Sequence, residues 1–502
     1  MNQTFISRRF FIGGLASAFA LGPRRIFAAA PDAFAGGKPA LAFGLLSDVH
    51  IALAKGGKEL HPSYTTETLA KAFEWFRDNG ADAVVIAGDM AHCGLAGELK
   101  AIADAWFKVF PGDKAPDGRH VERVFVFGNH DWSSPGRAKG VFQDEAERNA
   151  NLLVADPKKW WREAFHEEWT EFFERQVKGY RFECAHWCNG GCNGKSEKFT
   201  KGLKEYYASL KEKFNPSLPF FHVQHPHPRG TVHGDAVWGQ DDGTATEILS
   251  AHPNAVAFSG HSHTSLLDER SIWQGAFTSV GCGSLRNVSL NTTGILPPLE
   301  GGCENSRTPK SKDSAQLDAQ KAMLLPGRMD CRQGQFVRVY ADRIVFARRE
   351  FVTDAPLCDD LVMPLPAAES RPFEFKGRAA KAVAPEFAAD AKLKVRKTKG
   401  RLRGSKSKKD LSDVWELVIP PPTAVKSVRT SAYEITATAK DGFSKVFGMM
   451  DTNYRFPLTD PRVSKPAIFR VACKRLPEEG LAFSVRAVSC WGRKSAALTA
   501  TA

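Results

Sequence analysis

From Leu41 onward, short apolar runs alternate with amphipathic stretches. LAFGLLSD, at Leu41–Asp48, is an apolar run that closes on polar residues, and DAVVIAGD and VERVFVFGNHD repeat the pattern. Short apolar runs bounded in this way predict buried strands. Between the first two, YTTETLAKAFEWFRDNG puts Leu69, Phe73 and Phe76 on one face of a helix, with Gly80 as its stop. KKWWREAFHEEWTEFFERQVKG has helical spacing, and its aromatic stripe reads as packing. Further strands are predicted in GYRFECAHW, LPFFHVQH, NAVAFSG, SIWQGAFTSVGCG and QFVRVYADRIVFARREF, with a helix at Thr244–Ser250 and a turn at Ala341–Asp342. This alternation predicts a layered α/β core whose polar loops, at the C-terminal ends of the strands, are where ligands gather.

The pattern then changes. Residues 288–332 are polar, carry Pro and Gly and lack a period, so a long loop or insertion is expected there. The Pro-rich VMPLPAAESRP marks a boundary, giving a first domain over 38–355, a linker over 356–370 and a second domain over 371–502. The alternating runs DVWELVIPPP, SAYEITATAK, AIFRVACKR and LAFSVRAVSCWGRKSAALTA predict a small all-β sandwich. The last of them resembles the closing strands of a fibronectin type III domain.

A chain of 502 residues is too long for one core, and 43% hydrophobic with 25% charged residues excludes a wholly disordered or multi-span membrane protein. The net charge of +13 is local. Residues 1–30 carry four arginines and no acid, and KLKVRKTKGRLRGSKSKK, Lys392–Lys409, carries ten Lys or Arg and no acid, leaving the remainder at −1. SRRFFIGGLASAFALGPRRIFAAA resembles a twin-arginine export signal, with Arg8 and Arg9 before an apolar segment and small residues at Ala28 and Ala30. The apolar run Phe10–Gly22 is well short of the roughly 20 residues that cross a bilayer. The expectation is a periplasmic or extracellular protein with residues 1–30 removed and no transmembrane span in the mature chain. Of ten cysteines, Cys184, Cys188 and Cys192 read as disulfide or structural, and Cys473 and Cys490 as a candidate cross-strand pair.

Polar residues collect where the predicted strands end. SDVH supplies Asp48 and His50, AGDM Asp89, GNHD Asn129, His130 and Asp131, VQHPHP His225, and GHSH His261 and His263. Carboxylates, an amide and imidazoles suit two divalent or mixed-valence ions that together clamp a phosphoryl group. The ordered set DxH, GD, GNHD, a lone His before a Pro-containing turn, and GHxH resembles the calcineurin-like metallophosphoesterases, over about Leu41–Phe351. That resemblance implies a layered β-sandwich core flanked by helices. It also implies that Asp48, His50, Asp89 and His263 hold one ion and Asp89, Asn129, His225 and His261 the other, with Asp89 as the bridge. The implied reaction is hydrolysis of phosphate esters by a metal-bridging hydroxide, with His130 contacting phosphate and assisting the leaving group and Asp131 orienting His130. The ions are manganese, zinc or iron.

His227 competes with His225 for the ligand role, while His222, His233 and His252 read as structural or exposed. Purple acid phosphatases carry Tyr at the position of His92, so the colour of tyrosinate bound to iron is expected to be absent. Trp132, Arg137, Trp187 and Arg229 are candidates for lining the site. The substrate is a phosphoester small molecule or a phosphate-bearing polymer. A nuclease or cyclic-nucleotide phosphodiesterase is the alternative within the fold, and a cell-envelope binding protein with an idle metal-bearing head is the alternative of another class. Lys392–Lys409 reads as a charged edge hairpin, with attachment to an anionic envelope polymer as the sharper reading. It has no interleaved aromatics, so no specific nucleic-acid recognition is expected.

Overall fold

The computed structural model describes residues 37–502 except 57, 60–64, 134, 190, 192–195, 211–212, 235–236, 291–294, 297–330, 403–410 and 424–427. The export signal, Cys192 and most of the insertion expected over 288–332 lie outside the described residues. In the described part, the first apolar runs form β1 (Leu41–Leu46), β2 (Ala83–Ala87) and β3 (Glu122–Val126), parallel to one another, with α1 (Thr66–Asp78) and α2 (Ala96–Val109) as crossovers. After α3 (Glu145–Ala150) and α4 (Pro157–Phe165) come β4 (Phe172–Val177), β5 (Tyr180–Ala185), α5 (Glu197–Leu210), β6 (Phe220–Val223), α6 (Thr244–Leu249), β7 (Ala255–Ser259), β8 (Ile272–Gln274) and β9 (Thr278–Gly281). The chain then returns to the first sheet through β10 (Gln333–Val339), β11 (Arg343–Glu350), β12 (Ala355–Pro356) and β13 (Leu361–Pro364).

The first sheet runs β12-β11-β10-β1-β2-β3, with β13 also on β11, and the second runs β4-β5-β6-β7-β9-β8. Alternation decides which side chains meet between them. Leu41, Phe43, Leu45, Val85 and Val124 of the first sheet pack with Phe182, Phe221, Val256 and Phe258 of the second. Phe43 lies edge-on to Phe182, Phe221 and Phe258 at 5.3, 5.2 and 5.7 Å between ring centroids, contacts each worth about 0.5–1.5 kcal/mol beyond burial. The opposite faces take the helices: Leu69, Phe73 and Phe76 of α1, Ile102 and Trp106 of α2, Phe199 and Leu203 of α5 and Leu249 of α6 are all buried. The layered core flanked by helices is therefore as the sequence implied.

Three local expectations are corrected. The helix begun at Pro157 stops at His166, which takes a left-handed backbone (φ 59°), and Phe172–Val177 forms β4 against β5. Leu361–Pro364, expected in a linker, adds a strand to β11 and buries Met363; its proline ends an edge strand, where a missing N–H costs little. Cys473 and Cys490 are free. Cys473 follows a strand of one C-terminal sheet and Cys490 a strand of the other, so they do not face each other across a ladder.

After α7 (Phe375–Lys381) come β14 (Lys394–Gly400), β15 (Ser412–Ile419), β16 (Thr430–Thr438), β17 (Ser444–Met450), β18 (Ala467–Ala472), β19 (Ala482–Ser489) and β20 (Leu498–Thr501). They form sheets β14-β15-β18 and β17-β16-β19-β20 around Leu417, Tyr433, Phe447, Phe469 and Phe483. β14 is an edge strand on which Arg396 pairs with Glu416 and Lys399 with Asp413. This sandwich is docked on the core: Tyr454 donates to the Leu267 carbonyl (2.8 Å), Trp491 Nε1 to Glu269 (2.8 Å), and the Arg455 guanidinium to the Val288 carbonyl (3.1 Å). No helix among the described residues is long and apolar enough to cross a membrane.

Candidate metal centre

The loops that follow β1, β2, β3, β6 and β7 meet at one edge of the sandwich and are laced together by backbone. Asp48 N donates to the Gly88 carbonyl (3.0 Å), His50 N to Asp89 O (2.9 Å) and Gly260 N to His225 O (2.8 Å). The backbone turns hard at these strand ends. Asp48, His50, Asp89, His261 and His263 all have positive φ, 52° to 68°. Non-glycine residues held there store local strain, which clusters at functional sites. Two motif glycines allow the approach: a Cβ on Gly88 would strike the His225 ring, and one on Gly260 would strike Ser47 and Asp48.

Two donor groups result, sharing one carboxylate. Asp48, His50, Asp89 and His263 offer donor atoms within 4.8 Å of one another, and so do Asp89, His225 and His261. Asp89 Oδ2 lies 3.4 Å from His50 Nε2 and 3.2 Å from His225 Nε2, between the groups, while Oδ1 accepts from His130 N (2.7 Å). Asp48 Oδ1 is 3.0 Å from His263 Nε2, and Asp48 Oδ2 accepts from His261 N (3.0 Å). His261 and His263, two residues apart, thus face different groups, because they sit on a left-handed loop beyond β7 and not on the strand itself.

The tautomers decide what these groups can hold. His225 Nδ1 donates to the Ala87 carbonyl (2.7 Å) and His263 Nδ1 to that of Asn287 (3.1 Å), so the neutral form of each ring turns its Nε2 lone pair toward the carboxylates. The Nε2 atoms of His50 and His263 face each other at 3.1 Å, and Asn129 Oδ1 is buried without a hydrogen-bond partner among the described residues. Imidazoles and two carboxylates converging in these groups fit divalent cations, and the orphaned Asn129 amide oxygen is a further donor with no partner of its own. The electrostatics show the pull of the two acids, and the proton they hold on His225 is one that a bound cation would displace. Burial opposes ionisation of Asp89 and Asp48, but nearby imidazoles outweigh it and hold both carboxyls below their usual range. Burial also lowers His225, yet Asp89 and Asp48 outweigh it and raise it to about 9, while burial and His225 bring His261 down to about 3.

The group that orients His130 is not the one expected. His130 Nδ1 donates to the His92 carbonyl (2.7 Å), so its ring is oriented by backbone, and it lies edge-on to His50 at 4.4 Å. Asp131 does not orient it. Its carboxylate is fully buried and accepts from Ala91 N (2.6 Å), Gly128 N (2.7 Å) and Met90 N (3.2 Å), tying the loop that carries Asp89 to the one that carries Asn129. Burial and the neighbouring Asp89 push this carboxyl up.

His227 is also placed: Nδ1 and Nε2 lie 2.7 Å from Ser259 Oγ and Ser262 Oγ, so both nitrogens are engaged in holding the GHSH loop. His222 is buried against Tyr207 and Gln224. His92 closes a third trio with His50 and His130. Of the lining candidates, Trp187 packs on the His225 and His261 rings, whereas Trp132 stacks on Trp169. Sequence reading missed the segment after β9, where Ser284 and Asn287 steady His263 and Arg286 donates to the His50 carbonyl (2.8 Å). It also missed Trp238, which lies against His261. Neither stretch carries a pattern beyond turn composition.

Residues 41–265 match the family model described as calcineurin-like phosphoesterase. Asp48, His50, Asp89, Asn129, His225, His261 and His263 all fall within the matched stretch. Among solved structures, this chain is similar to a dimetal phosphatase from Danio rerio (14% identity, TM-score 0.36, covering 65% of this chain and 99% of that one). It is also similar to a purple acid phosphatase from yellow lupin, Lupinus luteus (11% identity, TM-score 0.37, 67% and 57%). No curated protein matches. The phosphoesterase match ends at Ser265, but His263 within it is held by Ser284 and Asn287, and β10 and β11 complete the first sheet.

Proposed function

We propose that the protein is an exported dinuclear-metal phosphoesterase. The observation that carries this reading is the pair of donor groups that share Asp89, with Nδ1 of His225 and of His263 committed to backbone carbonyls and Nε2 turned to the carboxylates. Asp48, His50, Asp89 and His263 would hold one ion, and Asp89, Asn129, His225 and His261 the other. When bound, such a pair neutralises phosphate oxygens and makes water nucleophilic at neutral pH.

The remaining roles belong to the chain. His130, with Nδ1 committed to the His92 carbonyl and its ring edge-on to that of His50, has Nε2 left for substrate; protonated there, it would donate to a phosphate oxygen or to the departing oxygen. Asp131 and His227 hold the loops from which the ligands project. Export rests on the twin-arginine pattern around Arg8 and Arg9. The reading of the C-terminal sandwich as a fibronectin type III-like accessory domain rests on its three- and four-stranded sheets and their strand order. Pairing of Arg396 and Lys399 on β14 supports a charged edge hairpin for the start of the basic stretch.

The test is hydrolysis of p-nitrophenyl phosphate and bis(p-nitrophenyl) phosphate by manganese-loaded protein and by His130→Ala. Turnover that falls about a hundred-fold or more in the variant is expected, and the preferred ester separates a phosphatase from a diesterase. Two bound metals without turnover on either ester would favour a binding protein with an idle head.

A further inference from the structure

Trp238 is the most exposed large hydrophobic residue among the described residues, 69% accessible, and it stands beside the candidate metal centre. Its ring lies 4.4 Å from that of His261, tilted by 31°, while Trp187, itself buried, packs on the same imidazole at 5.7 Å. The His261 ring thus has one buried and one open indole against it.

The strand of loop that carries Trp238 is well fixed. His227 N donates to Gly239 O (2.9 Å) and Asp241 N to His227 O (2.8 Å), so the residues after Trp238 pair with the loop that supplies His225. Gln240 Nε2 donates to the Gly234 carbonyl (2.6 Å), and the buried Asp241 carboxylate accepts from Arg229 N and Gly243 N, both at 2.9 Å. Gly239 has φ 98°, and a Cβ there would press on His261 and Ser262 at 3.2–3.4 Å. A large apolar ring held outward on a braced loop, next to the reacting centre, is a ready stacking surface.

We propose that Trp238 forms a specificity subsite that stacks a flat, π-bearing group of the phosphoester, an aryl ring or a nucleobase, beside the phosphate held at the metal centre. This rests on the phosphoesterase reading for the position of the phosphate. The open face of the indole then covers the organic part of the substrate while the donor groups engage its phosphate.

The test uses the full manganese-loaded chain and three phosphonates that cannot be hydrolysed: 1-naphthylphosphonate, adenosine 5′-phosphonate and methylphosphonate. Binding is measured by calorimetry in the parent, Trp238→Ala and Trp238→Phe, with metal content determined for each. The alanine variant should bind one or both flat ligands about ten-fold more weakly and methylphosphonate unchanged, with unchanged metal content, and the phenylalanine variant should retain most of the affinity. Loss on both flat ligands assigns a general aromatic subsite, and loss on the adenosine ligand alone a nucleobase subsite. Equal weakening of all three ligands, no change in any, or no binding by the parent would overturn the proposal. Binding with this pattern in a chain that hydrolyses neither nitrophenyl ester would leave the subsite standing and remove the enzymatic reading.

Discussion

Replacing Asp131 by Ala separates two roles for a buried carboxylate beside a metal centre. The side chain is fully buried and takes three backbone N–H groups, from Ala91 at 2.6 Å, Gly128 at 2.7 Å and Met90 at 3.2 Å. Each buried donor left without a partner costs about 1–3 kcal/mol. Counting the two short bonds in full and the longer one in part gives a loss of about 4 kcal/mol, a large share of the roughly 5–15 kcal/mol that stabilises a domain. At about 2 °C per kcal/mol for a unit of this size, the melting temperature should fall by about 8 °C. Asp131→Asn keeps one acceptor and should lose about half as much. Because the stapled loops carry Asp89 and Asn129, manganese affinity should also weaken, by about ten-fold or more. Calorimetric melting and metal titration of the parent and both variants measure these effects. Unchanged melting and metal affinity in Asp131→Ala, with turnover abolished, would refute the stapling argument and return Asp131 to a role on His130.

Further outcomes follow from particular contacts. Asp451, buried in the C-terminal sandwich, is pushed by burial from the usual 3.8 up to about 6. Below pH 3.8 both folded and unfolded forms are protonated; between pH 3.8 and 6 the unfolded chain ionises first, so this group removes about 3 kcal/mol of stability as pH rises and nothing more above 6. Asp451→Asn should therefore gain melting temperature relative to the parent at pH 7 but not at pH 3.5, and equal differences at the two pH values would contradict this. Arg455 joins the sandwich to the centre: its guanidinium donates to the Val288 carbonyl, and its own carbonyl accepts from Gln333 Nε2 (2.8 Å), whose Oε1 takes Leu266 N (2.7 Å) just beyond His263. Arg455→Ala should weaken binding of one manganese ion several-fold and spare the other in a two-site titration, whereas a sandwich independent of the site predicts no change.

The strands and the donor set were legible because both are local signals. An apolar run ending in Asp, Asn or His marks a buried strand and the polar residue delivered at its end, and Asp48, Asp89, Asn129, His225 and His261 all follow that rule. What sequence could not carry was geometry fixed by distant partners. The spacing in KKWWREAFHEEWTEFFERQVKG suits a helix, but the left-handed turn at His166 ends it and pairing with β5 makes Phe172–Val177 a strand. Asp131 follows His130 in sequence and invites a pairing, yet the carboxylate points back to Met90, Ala91 and Gly128, some forty residues away in two cases. Trp238 and the Ser284–Asn287 segment lie in turns whose composition says nothing of what they face.

The central claim is that two ions share Asp89 and that His261 and His263 serve different ones. Anomalous-scattering crystallography of the manganese-loaded chain tests it most directly. The account predicts two peaks, one among Asp48, His50 and His263 and one among Asn129, His225 and His261, with Asp89 touching both. A single peak, or one ion bound by His261 and His263 together, would contradict it.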